Sequence, residues 1–332
     1  MDVLILGGTQ FVGRAITEAA LAAGHHVTLF NRGKTNTDLF PNVEKLIGNR
    51  DGDLSALEGR QWDVAVDVSG YLPRIVHASA ELLADAVEHY TFISTVAVYD
   101  HSVYSKAGTT EDGPLATLED ESTETINAET YGALKVLCEQ AAEDAMPGRV
   151  LNVRCGLIVG PHDHTDRFTY WPVNTARGGE ILAPPADALS QVIDVRDLAQ
   201  WIINMAEARN SGVFTATGPD YQLTYGRILE ACQTAAGGDT ARVVHAYEDF
   251  LIENDVREWT ELPLWLPASH NGMAQLDVSK AIAAGLTFRL IEETVADTLA
   301  WYKDESGLGS PLKAGMDPER EAELLEKWHA TH

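Results

Sequence analysis

The opening segment constrains the fold most. An apolar run, Asp2–Leu6, enters the glycine-bearing turn GGTQFVG, after which Phe11, Val12, Ala15, Ile16, Ala19, Ala20 and Ala23 recur at helical spacing. Strand, glycine turn and helix in that order form the first half of a βαβ unit, and the next segments of the chain repeat it. Gly24 stops the helix, HHVTLFNR supplies a second strand ending in Asn31 and Arg32, and further strands are expected at 43–47, in WDVAVDVSG and from about Tyr90 in HYTFISTVAVY. Helical spacing returns over 75–88 and 129–144, and RVLNVRCGLIVG is expected as one continuous strand. Strands separated by helices require right-handed crossovers and a doubly wound parallel sheet of the Rossmann-like α/β class.

The pattern changes after the fifth strand. Residues 100–128 are polar and acidic with no sustained period and read as a long loop, a feature that is commonly functional in a compact domain. Beyond Gly160, Pro- and Gly-containing loops alternate with short helices. The expected organisation is a dinucleotide-binding domain over 1–160, to which the chain returns around 187–217 with a last strand or two of the main sheet near 192–195 and 213–217. A smaller, discontinuous substrate-covering domain takes 161–186 and 218–316, and a helical tail takes 317–332, with Pro318 at its first helical position.

Composition narrows the function classes. Fifty acidic against 24 basic residues give a formal charge of −26, which repels phosphate backbones and anionic lipid and argues against nucleic acid as a partner. MDVLILGG is too short and lacks the basic flank of a signal peptide, and no apolar stretch has membrane length, so no membrane association and a cytoplasmic location are expected. Cys138, Cys155 and Cys232 stand far apart with no CxxC pair and read as buried free thiols.

Three local patterns carry chemistry. Gly7, Gly8 and Gly13, with Thr9, Gln10, Phe11 and Val12 between them, follow a strand and open a helix, where backbone can approach a dinucleotide's pyrophosphate and the helix N-terminus can hold its charge. Tyr131 and Lys135 lie four apart on a helix, so a phenol and an ammonium can converge on one ligand; a nearby cation lowers a phenol from its usual pKa of about 10, allowing proton exchange with a substrate hydroxyl. At the end of the second strand, Asn31, Arg32 and Lys34 stand where a carboxylate normally accepts from the ribose of NAD. With no acid to repel a 2′-phosphate and a guanidinium to bind one, NADP is expected over NAD.

Taken together, GGTQFVG, FISTVAVY, YGALK and QVIDVRDLA resemble the extended short-chain dehydrogenase/reductases, the NAD-dependent epimerase/dehydratase family, over nearly the whole chain. The resemblance implies an oxidoreductase or epimerase moving hydride at a hydroxyl-bearing carbon of a sugar-like or other small molecule. Tyr131 would be the acid/base, Lys135 would bind the nicotinamide ribose, and Thr95 would hydrogen-bond the reacting oxygen with Ser94 beside it. The turn Ser69-Gly70-Tyr71 would pass beneath the cofactor, Asn49 with Arg50 would stand at the adenine, and Cys155 and Leu157 would line the nicotinamide. Tyr71, Thr95, Val96, His162, Arg167, Tyr170 and Trp171 are the expected substrate contacts. A homodimer through the helices at 75–88 and 129–144 is implied as well.

Departures from the family pattern refine this. The dehydratases' Asp-Glu pair is Val96-Ala97 here, which argues against water elimination by that route, and the arginine that grips a sugar nucleotide's diphosphate is replaced by Ser190. HDHTDR lacks the HExxH-type spacing that fixes zinc and reads as a polar substrate loop, so no metal is expected. The FNRGK and GNRDGDL segments resemble an atypical branch that includes chloroplast stem-loop RNA-binding proteins. A nucleotide-sugar epimerase and a non-catalytic or RNA-binding member of the fold therefore stay open beside the oxidoreductase.

Overall fold

The computed structural model describes residues 1–238 and 240–331. Seven parallel strands form the central sheet: β1 (Asp2–Leu6), β2 (His26–Asn31), β3 (Glu44–Ile47), β4 (Val64–Asp67), β5 (His89–Thr95), β6 (Val150–Cys155) and, much later in the chain, β11 (Gly212–Ala216). Their order, β11-β6-β5-β4-β1-β2-β3, reverses direction at β1, so the crevice at the carboxyl ends of β1 and β4 is the topological switch point of a doubly wound sheet. Strands covered on both faces have no polar side to show water. β1 accordingly buries Val3 to Leu6 completely, and β4 is buried throughout.

Helices α1 (Phe11–Ala22) and α5 (Val195–Glu207) pack on one face, and α2 (Pro73–Leu83) and α3 (Tyr131–Ala145) on the other. Ile16, Ala20, Leu198 and Ile202 fill the first core with Val3, Ile5 and Val66, while Val76, Ala80, Leu83, Cys138 and Ala142 fill the second with Leu4, Leu6 and Phe92.

The expected continuous strand after α3 is broken. β6 stops at Cys155 and a separate β7 (Leu157–Val159) comes next, with Gly156 between them, its N–H donating to Ala216 O at 3.1 Å at a point where a side chain would come within 2.1 Å of Thr217 Oγ1. β7 pairs in parallel with β10 (Val192–Asp194), so the segment at 192–195 belongs to a small two-stranded sheet rather than to the main one, whereas the segment at 213–217 does join it beside β6. Two further small sheets, β8 (Gly179–Ala183) with β13 (Ala241–His245) and β9 (Leu189–Ser190) with β12 (Leu223–Thr224), build the second half. Its helices are α4 (Tyr170–Arg177), α6 (Tyr225–Ala236), α7 (Glu248–Glu253), α8 (Ser279–Ala283), α9 (Ile291–Glu305) and α10 (Pro318–Thr331), and its own core gathers around Trp171, Tyr225 and Trp265. No helix among the described residues is long and apolar enough to cross a membrane.

Candidate active site

A cleft of about 640 Å³ lies at the switch point. Its floor is the glycine turn. Gly7 and Gly8 have φ of +122° and +94°, open only to glycine at low cost, and a Cβ on Gly13 would meet Gly8 N at 2.7 Å. The turn is braced from behind. Thr17 Oγ1 donates to Gly8 O and Gly13 O at 3.0 and 2.8 Å, Asn31 Nδ2 donates to Gly7 O at 3.1 Å, and Asn36 Nδ2 to Thr9 O at 2.8 Å. A groove whose floor no Cβ could occupy, at a helix N-terminus without acidic residues in its first turn, fits a dinucleotide's diphosphate.

Thr9, Gln10, Phe11, Val12, Asn31, Arg32, Lys34, Asn49, Arg50, Ser69 and Tyr71 line this cleft with Gly7, Gly8 and Gly13, while Gly70 does not. Arg50 does so in an unexpected way. Its guanidinium forks onto the fully buried Asp67, with both Nη–Oδ distances at 2.6 Å, and Nη2 also donates to Ser79 Oγ at 2.7 Å; Tyr90 OH donates to the same carboxylate at 2.8 Å. Both charges are thus used within the protein. Arg50 shapes the cleft wall and closes the end of β4, and its charge is not free for a ligand. Arg32 and Lys34, by contrast, have no carboxylate partner among the described residues.

The Tyr131–Lys135 pair adjoins the cleft at the turn after β4. Lys135 Nζ donates to Gly70 O and Ile93 O, both at 2.7 Å, and stands 4.0 Å from the Phe92 ring centroid and 5.6 Å from that of Tyr71. The ammonium ties the ends of β4 and β5 to α3, and its burial lowers its pKa to about 8. Tyr131 faces the Tyr71 ring at 6.5 Å, and the Thr95 hydroxyl, whose Oγ1 accepts from Ala97 N, acts on the phenol to lower its pKa. The expected lowering of the phenol by its lysine is not what the structure shows: burial pushes Tyr131 up to about 12, against the opposing pull of Thr95. Gly132, to which the sequence alone draws no attention, allows this approach, since a Cβ there would fall 2.0 Å from Ala97 O. Its place beside Tyr131 in YGALK is the one signal that could have pointed to it.

The lowered lysine pKa makes a measurable prediction. At pH 7 the ammonium is intact; as pH rises through about 8 it loses its charge and one N–H. A pH profile of kcat/KM, which reports groups of the free enzyme, should therefore fall above an inflection near 8. A profile flat from about pH 7 to 9 would show that the ammonium has no part in binding or turnover.

Several expected contacts lie elsewhere. Ser94 turns its hydroxyl to Glu139 Oε1 at 2.5 Å, supporting the carboxylate of the buried Arg154–Glu139 pair instead of lining the cleft. Tyr170 and Trp171 are 2% and 1% exposed and belong to the second core, where Trp171 Nε1 donates to Pro263 O, so neither can meet a ligand. Leu157 packs on that same core, and Val96 is buried with Val98, Tyr99 and Val136. Arg167 lies over the Trp259 ring at 5.2 Å, and His162 accepts from Arg14 Nη1 at 3.1 Å. Cys155 is buried at the end of β6 with its thiol pushed up to about 12 by burial, which leaves it unreactive. Among the described residues no group of three or more His, Cys, Asp or Glu could hold a metal ion.

Comparison with known proteins agrees with this architecture. Residues 3–216 match the NAD dependent epimerase/dehydratase family. The chain is 25% identical over 271 residues to chloroplast stem-loop binding protein of 41 kDa b of Arabidopsis thaliana, covering 73% of this chain and 65% of that one. UDP-glucuronic acid 4-epimerase from Bacillus cereus, solved with NAD, superimposes with a TM-score of 0.66 at 14% identity, covering 92% of this chain and 99% of that one. Human epimerase family protein SDR39U1, solved with NADPH, gives 0.61 at 20% identity over 90% and 99%. The family match spans well over half of the chain, both halves of the fold recur in the solved structures, and the chain belongs to the NAD-dependent epimerase/dehydratase family.

Proposed function

We propose that the chain is an NADP-preferring oxidoreductase that reduces a carbonyl on a small polar molecule, with Tyr131 as the proton donor. The observation that carries the reading is the placement of Tyr131 against the ring of Tyr71, which lines the glycine-floored cleft, with the doubly anchored Lys135 one turn along the same helix. The bound dinucleotide would supply the hydride. Thr95 orients the substrate oxygen, and Tyr131, protonated at neutral pH because burial holds its pKa near 12, gives that oxygen its proton. Gly7, Gly8 and Gly13 hold the diphosphate, and Gly70, where a side chain would meet the core residues Phe92 and Val76 at 2.6 Å, gives its carbonyl to Lys135 between the two parts of the site. Purified protein given NADPH and a panel of aldoses, ketoses and sugar nucleotides should consume the nicotinamide absorbance with at least one of them.

Cofactor choice is a separate test. Arg32 and Lys34 line the cleft beyond the end of β2, where Asn31 already spends its amide on Gly7 O and its Oδ1 on Gly33 N. NADP should bind more tightly than NAD, and Arg32→Ala should reduce that preference by about tenfold, the scale of one charge-assisted hydrogen bond. Dissociation constants for both dinucleotides on both proteins decide it; an unchanged ratio removes Arg32 from the role.

A second reading, binding of a stem-loop nucleic acid, is favoured by the likeness to the chloroplast protein. A net charge of −26 opposes it. Retardation of a stem-loop RNA at physiological salt, without turnover of NADPH, would favour this reading over the enzymatic one.

A further inference from the structure

Every residue lining the cleft comes from the chain up to Ile75, with one exception: His164, from the loop after β7. We propose that His164 is a ligand of the dinucleotide's diphosphate, held over the glycine turn by the second half of the chain. The inference rests on the reading of the cleft as a dinucleotide site.

The loop carrying His164 is built to hold one position. His162 and Asp166 on either side have φ of +69° and +60°, left-handed values that a non-glycine residue keeps only when its surroundings impose them. Asp163, buried between them, accepts from Thr165 N and Thr165 Oγ1 at 2.9 and 2.8 Å. From outside, Lys313 Nζ donates to His164 O at 2.8 Å and Lys313 N to Asp166 Oδ2 at 3.0 Å. From α1, Arg14 Nη1 donates to His162, and the Phe11 ring meets the His164 ring edge-on with centroids 6.3 Å apart. Phe11 is the first residue of α1 and has φ of +36°, a strained value for an aromatic residue at the point where the helix meets the turn.

Charge makes the assignment specific. A diphosphate in this cleft needs compensation from an otherwise acidic protein. Arg14 is taken by Glu18 at 2.8 Å and by His162, Arg50 is taken by Asp67, and Arg32 and Lys34 stand at the other end, beyond β2. His164 is the basic side chain left at the glycine turn. Its side chain is exposed while its carbonyl is fixed, so an imidazole N–H is available to a phosphate oxygen in either protonation state.

Isothermal titration with ADP-ribose, which carries the diphosphate without the nicotinamide, tests this on wild type, His164→Ala and His164→Glu. Adenosine, which has no phosphate, is run in competition as the check that the cleft is intact. His164→Ala should raise the ADP-ribose dissociation constant about fivefold, a charge-assisted bond discounted for an exposed position. His164→Glu should raise it by at least about tenfold, since a carboxylate would face the diphosphate, and adenosine should compete equally against all three. Equal ADP-ribose affinity in the wild type and the Glu variant overturns the assignment, as does a loss of adenosine affinity in step with ADP-ribose. Failure of the wild type to bind ADP-ribose at all is a different result, and it overturns the dinucleotide reading on which the inference rests.

Discussion

Tyr131→Phe should lower turnover by about 10²- to 10⁴-fold, the usual contribution of a positioned acid/base group, while dinucleotide affinity changes little. The geometry accounts for the split. The lysine that ties α3 to the cleft bonds to Gly70 O and Ile93 O and does not depend on the phenol hydroxyl, so deleting that hydroxyl leaves the anchor intact. What disappears is the proton donor. Thr95→Val, which removes the hydroxyl assigned to orient the substrate oxygen, should give a smaller loss, since Tyr131 retains its proton. Single-turnover measurement at saturating dinucleotide separates chemistry from binding. Undiminished turnover in the Phe variant would place the acid elsewhere.

Arg154→Met should destabilise the fold by about 3–5 kcal/mol, the cost of leaving one member of a buried ion pair without its partner. Arg154 and Glu139 have side chains only 4% and 7% exposed and meet through Nη2–Oε2 at 2.8 Å, with Nε bonding the same carboxylate. Ser94 gives Glu139 its hydroxyl, and Arg154 Nη1 reaches Glu111 O in the acidic loop while its guanidinium stands 5.2 Å from the Tyr99 ring centroid. Urea unfolding of the single variant and of Arg154→Met/Glu139→Leu distinguishes the causes. If the cost is the stranded carboxylate, the double variant recovers most of the loss, because an apolar pair of similar volume needs no compensation. A double variant as unstable as the single would mean that packing around Arg154, including the Tyr99 ring, carries the stability.

The range of each interaction decides whether it is legible in the sequence. β1, the glycine turn and α1 are written in local periodicity, and YGALK sets its phenol and its ammonium on one helix face through spacing alone. Side chains that act across long separations are not legible. Nothing near Arg50 in sequence shows that Asp67 and Ser79 will take up its guanidinium, and nothing near Ser94 shows that Glu139, 45 residues later, will take its hydroxyl. Tyr170 and Trp171 look like ring-stacking residues because an aromatic pair beside a polar loop has the same composition whether it faces a ligand or a core. The Tyr225 ring and the Pro263 carbonyl decide the matter, and both lie more than 50 residues away. The close approach of Thr217 to Gly156 is hidden from the sequence in the same way.

The origin of the cleft's lining, almost wholly from the chain up to Ile75, bears on how such a protein diversifies. A contiguous stretch of gene encodes the groove, so a single recombination near its end could exchange dinucleotide preference without disturbing the second half, and the second half could acquire new substrates without rebuilding the groove. The loop carrying His164 is the exception that couples the two. A chimera joining this first segment to a relative's remainder would inherit the floor and both walls of the groove, but would take its cover over the glycine turn from the other parent.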